Sequence, residues 1–125
     1  MISPYVFAGL QNNEETDDYI VSLICDYCGI TREHFFRKKR SANLVRARKY
    51  YCFIQRVLLG KTHKPICKML NTHHATTIHH VNKFTGELQV YSDEYNNFKT
   101  FVGSINHKWA LILESKIKRH DTGRN

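Results

Sequence analysis

Apolar side chains recur at intervals of three and four residues along most of this chain, and that spacing commits it to helices rather than strands. Only two prolines, Pro4 and Pro65, stand in the way. Tyr19, Ile20, Leu23, Ile24, Tyr27 and Cys28 make the first stripe. The acids Glu14, Glu15, Asp17 and Asp18 precede it, where negative charge favours a helix start, and Gly29 suits the left-handed position after a helix end. A helix is therefore predicted over about 13–28. Thr31, Arg32, Glu33 and His34 read as a short helix start with Phe35 and Phe36 as its buried face. The polar run 37–43 interrupts the pattern and is expected to be a loop. A long helix follows over about 44–59, with Leu44, Ala47, Tyr50, Tyr51, Ile54, Val57 and Leu58 as its stripe and Gly60 as its stop.

Pro65 fits the first turn of the next helix, which carries Ile66, Met69 and Leu70, and Asn71 and Thr72 break it. Another helix begins near Ala75 and runs through Ile78, Val81 and Phe84, with Gly86 as its end or a joint. Residues 88–91 are compatible with a brief strand that has no evident partner. Residues 93–118 predict a final helix or helix pair. The expected fold is an all-α, compact helical domain.

A chain of 125 residues with 42% apolar residues is one domain long and buries a core without cross-links. No segment approaches the roughly 20 apolar residues that span a bilayer. No basic residue precedes the short apolar stretch at the N-terminus, so a secretory signal is not expected. The cysteines Cys25, Cys28, Cys52 and Cys67 are accordingly read as reduced, buried, apolar side chains of a cytoplasmic protein.

The charge is segregated. Residues 1–30 hold five acids and no Lys or Arg, whereas residues 31–68 hold twelve Lys or Arg and one acid, Glu33. Positive charge gathered into one third of a chain points to a polyanionic partner.

Several motifs compete for the chemistry. Gly60, Lys61 and Thr62 imitate the tail of a phosphate-binding loop, but that motif needs a glycine where Gln55 stands and a strand where a helix is predicted. No nucleotide site is expected. Cys25 and Cys28 have zinc-knuckle spacing without a second pair, and His73, His74, His79 and His80 lack the i, i+4 spacing of a shared metal. No metal or other cofactor is expected. The run Arg37, Lys38, Lys39, Arg40 and Ser41, followed by Arg46 and Arg48, suits phosphate contacts or an arginine placed in a minor groove. Residues 65–84 read as two short amphipathic helices separated by a turn over 71–74, which is helix-turn-helix geometry. Thr76 and Thr77 open the second helix, where a threonine can meet a thymine methyl or a base edge.

In this order the motifs resemble the C-terminal DNA-binding domain of the DnaA replication initiator. That family has a basic K-R-R-S loop, an R-x-R helix start, a long helix, and a helix-turn-helix ending in D-H-T-T-x-x-H. Here Lys38, Lys39, Arg40 and Ser41 match the loop, Arg46 and Arg48 the helix start, and His74 to His80 the signature. The patterns align without a gap over 38–84, and more loosely over 19–105. The resemblance implies a Trp-repressor-like, DnaA C-terminal-like fold plus a C-terminal helix. It further implies that Arg40 enters a minor groove while Thr76, Thr77 and His80 face the major groove. His74 and Ala75 stand where the family has aspartate and histidine, so the initiator's own target sequence is not carried over. The family's ATPase domain has no counterpart in the chain, so origin melting by this chain alone is not expected.

These observations predict a non-enzymatic, nucleoid-associated protein with double-stranded DNA as partner and no membrane. Its roles would lie in regulation, replication or a mobile element. RNA or single-stranded nucleic acid on the same basic face is the alternative. The expected contacts are Lys38, Lys39, Arg40, Ser41, Arg46, Arg48 and Lys64 on the basic side, with His74, Thr76, Thr77 and His80 on the recognition helix. The expected organisation is an acidic lead-in over 1–18, the DNA-binding domain over 19–105, and the end of a C-terminal helix with a tail over 106–125.

Overall fold

The computed structural model describes residues 14–37 and 41–118. The loop residues Lys38, Lys39 and Arg40 lie outside them, as do residues 1–13 and 119–125. The described chain is all-helical: α1 (Glu14–Cys28), α2 (Arg32–Phe35), α3 (Ala42–Phe53), a π-helical turn (Ile54–Leu58), α4 (His63–Leu70), α5 (His74–Val90), α6 (Ser92–Ile105) and α7 (His107–Lys116).

The long α3 is the element around which the others assemble. Its Tyr50 and Phe53 meet Phe84 of α5 and Phe98 of α6 in one aromatic cluster. The Phe84 and Phe98 rings stand nearly perpendicular with centroids 4.9 Å apart, an edge-to-face contact that adds to the area both rings bury. Ile20 and Ile24 close the core from α1, and Trp109, Leu113 and Ile117 close it from the C-terminal end. Residues beyond 105 thus contribute buried side chains to the same core.

Capping explains where the helices stop. Gly29 takes φ +74, and the N–H of Ile30 donates back to the Cys25 carbonyl at 3.0 Å. This is the left-handed closure that a glycine permits at no steric cost. Gly60 has the same φ, and Lys61 N–H reaches the Gln55 carbonyl at 2.9 Å, six residues back, because the turn before it is π-helical. The Lys61 ammonium then pairs with Asp17 at 3.0 Å, and Gln55 donates to the same carboxylate oxygen, which ties the π turn to the start of α1.

The structure corrects several local expectations. Residues 88–90 are the last turn of α5 and not a strand. Leu88 continues the buried stripe of Thr77, Val81 and Phe84, and Glu87 pairs with Lys49 of α3 at 2.8 Å. Gly86 is neither an end nor a joint, since α5 runs through it. The loop before α3 is shorter than expected, because Ser41 accepts from Leu44 N–H and starts the helix at Ala42. Phe35 is buried but Phe36 is exposed. Residues 92–116 form two helices, parted at Asn106, whose side chain caps α7 by accepting from Lys108 N–H. Cys25, Cys28 and Cys52 are buried, whereas Cys67 is only half-buried. Burial pushes the Cys28 and Cys52 thiols up to about 11 and about 12, so both are held protonated at neutral pH.

Candidate nucleic-acid interface

Two helices and a three-residue turn form the candidate interface. Ile66 and Leu70 bury one face of α4. Asn71 then adopts the left-handed conformation, φ 52 and ψ 54, and is the one non-glycine residue with positive φ among those described. The N–H groups of Asn71 and Thr72 donate to the carbonyls of Lys68 and Cys67, which closes α4 as a Schellman turn. Asparagine tolerates this conformation better than other side chains that carry a Cβ. His73 is extended and starts α5 at His74, one residue earlier than expected.

The start of α5 is locked onto α4 by one hydroxyl. Thr77 is fully buried. Its Oγ1 donates to the His74 carbonyl at 2.9 Å and accepts from His63 Nδ1 at 3.1 Å. Since the hydroxyl proton is engaged with the carbonyl, His63 must be the Nδ1–H tautomer. Burial, aided by Arg56 and His74, holds the His63 pKa below its ordinary value. The His63 ring also lies 5.4 Å from that of His74. Thr77 was expected to face bases. It instead fixes the angle between the two helices, and its side chain is closed to any ligand. Thr77→Val keeps the shape and removes both hydrogen bonds. It is expected to lower stability by about 1–2 kcal/mol in denaturant unfolding. The DNA sequence selected by the variant should equal that of the unmodified protein.

Between α3 and the helix-turn-helix runs an open groove of about 740 Å³. Leu44, Val45 and Arg48 form its α3 wall, and Thr72 and His73 of the turn with Ala75, Thr76, His79 and His80 of α5 form the other. Of the expected contacts, Thr76, His80 and Arg48 therefore meet here. Arg48 is not extended toward solvent as a phosphate ligand would be. Its guanidinium donates to the carbonyl oxygens of Phe35 and Arg37, and so it holds down the chain leading into the basic loop. Ser41 serves as the α3 cap. Arg46 is exposed about 200° round the helix from Arg48. Its charge is felt at Cys28 and Tyr50, on a different side of α3. Lys64 is exposed on α4, and His74 is exposed beside His63.

The expected contacts left out His73, Ala75 and His79, which also line the groove, although the histidines His73 and His79 already read from the sequence as exposed polar residues facing DNA. The signal was present in the helical phase. Counting back from Leu88, Phe84 and Val81 in steps of three and four places Thr77 inside, which turns Ala75 and His79 outward.

The family model of the bacterial DnaA protein helix-turn-helix matches residues 18–84, more than half of the chain. That span runs from within α1 into α5 and includes both walls of the groove. No curated protein and no solved structure matches the chain.

Proposed function

Because this chain belongs to the bacterial DnaA protein helix-turn-helix family, whose members bind DNA, we propose that it recognises double-stranded DNA with a sequence preference. In this reading α5 enters the major groove by its first two turns. The phosphate backbone beside it runs along the cleft between α5 and α3. Lys38, Lys39 and Arg40 extend the contact along the duplex, with Arg40 in the adjacent minor groove as the family resemblance implies. Lys64 and Lys83 add phosphate contacts from exposed positions, and Arg46, exposed on another side of α3, would reach only a backbone that wraps round that helix. The protein acts by occupying a site, as a regulator, a replication accessory or a mobile-element product of the nucleoid. It works without catalysis, nucleotide or cofactor.

The observation that carries this reading is the relation between α5 and α3. The first two turns of α5 are anchored by Thr77 and leave His74, Ala75, Ile78 and His79 exposed, with Ala75 and His79 on the groove whose other wall is the start of α3. A surface for single strands would call for exposed aromatic rings interleaved with the positive charge. The aromatic side chains of α3 are instead buried in the core, and among the described residues 31–53 Phe36 alone is an exposed ring, with the Arg32 guanidinium lying over it at 5.9 Å.

Selection from random duplexes, run beside single-stranded pools of the same sequences, tests the proposal. The expected result is enrichment of one duplex motif with weaker single-strand binding. Equal or tighter binding to single-stranded DNA or RNA would overturn it.

A further inference from the structure

Among the first six residues of α5, the exposed side chains are His74, Ala75, Ile78 and His79, while Thr77 is buried and Thr76 half-buried. At about 100° per residue, Ala75 and His79 lie opposite the stripe of Thr77, Val81 and Phe84 that seats the helix, and Ile78 flanks them. Ile78 is the anomaly. It is a branched apolar side chain, 38% exposed, next to Ala75 on a helical surface otherwise made of histidines and Asn82. The expectation that Ile78 belongs to the core stripe fails for the same reason that Thr77 is inside: the helix is phased by Val81, Phe84 and Leu88.

An apolar pair at the exposed N-terminal end of a recognition helix has one complementary apolar group on the major-groove edge of a duplex, the 5-methyl of thymine. An imidazole beside it can donate to or accept from a neighbouring base edge, according to its tautomer. We infer that Ala75 and Ile78 form an apolar edge that reads thymine methyl groups, and that His79 hydrogen-bonds to an adjacent base. The inference rests on the duplex-DNA reading above and assigns its specificity. Discrimination lies with Ala75, Ile78 and His79, and Thr77 acts only by holding them at the correct angle.

The test uses the full chain and the duplex that it selects. Each thymine is replaced in turn by deoxyuridine, which keeps every hydrogen-bonding group and removes only the methyl. At one or two positions the replacement should weaken binding several-fold. Ile78→Ala should bind the thymine and uracil duplexes alike, with a loss on the thymine duplex close to that several-fold factor. His79→Ala should keep the methyl sensitivity and relax the preference at a neighbouring base pair. Both side chains are exposed, so both variants should melt at the temperature of the unmodified protein. Equal binding of thymine and uracil duplexes at every position would overturn the inference while leaving duplex recognition intact. Methyl sensitivity that survives in Ile78→Ala would do the same. A selection that enriches no duplex would overturn duplex recognition, and this inference with it.

Discussion

Raising monovalent salt from about 50 to about 200 mM should weaken duplex binding about a hundred-fold to several-thousand-fold. Each phosphate neutralised contributes a log–log slope of roughly −0.9, and about four to seven contacts are expected for a module of this size. The structure explains why the number is not larger, although residues 31–68 hold twelve Lys or Arg. Lys49 pairs with Glu87, Lys61 with Asp17 and Arg32 with Asp18, and Arg48 is engaged with backbone carbonyls. Those cations belong to the fold. The remainder include the loop residues Lys38, Lys39 and Arg40, with exposed Arg46, Lys64 and Lys68. Affinity measured across a salt series checks this, and a nearly flat response would mean that the basic segment does not meet a nucleic acid.

Phe84→Ala should destabilise the protein by about 3–5 kcal/mol, the range for removing a buried aromatic side chain and leaving a cavity. Phe84 is fully buried and touches Tyr50, Phe53 and Phe98, so the cavity would lie where α3, α5 and α6 meet. A domain of this size has roughly 5–15 kcal/mol of stability in all. The melting temperature should fall by about 10–20 °C. Duplex binding should fail at temperatures where the unmodified protein still binds, and saturating DNA should restore part of the lost stability by mass action. A fall of only a few degrees would contradict the seating of α5 on α3 through this ring.

Helical periodicity made most of the fold legible, because burial of an apolar stripe dominates helix placement and the stripe is written directly in the residue order. It located α1, α3, α4 and the pair α6 and α7, and Gly29 and Gly60 marked two ends correctly. It lost α5 beyond Gly86, since a glycine inside a helix resembles a stop unless the buried Leu88 and the ion pair of Glu87 are known. The π turn was illegible: it carries Gln55, a polar side chain that the apolar pattern does not count as buried, inward to a hydrogen bond with Asp17 thirty-eight residues earlier.

At the candidate site the helix-turn-helix spacing was visible, but the residues expected to face outward do not all do so. The threonine pair drew attention by chemistry, yet one hydroxyl of the two, that of Thr77, is committed to His63 and His74. The charge of Arg48 suggested a phosphate, yet carbonyls from a segment eleven and thirteen residues earlier claim it. In both cases a polar side chain finds a partner that is distant in sequence. A motif cannot report such a partner.

Amide shift mapping of isotope-labelled protein, titrated with its selected duplex, tests the central claim most directly. The largest perturbations are expected over 72–83 in α5 and the turn before it, with a second group at the start of α3 around Ser41 and Val45. Little change is predicted in α7. Perturbations centred on α6 and α7, with the start of α5 unmoved, would contradict it.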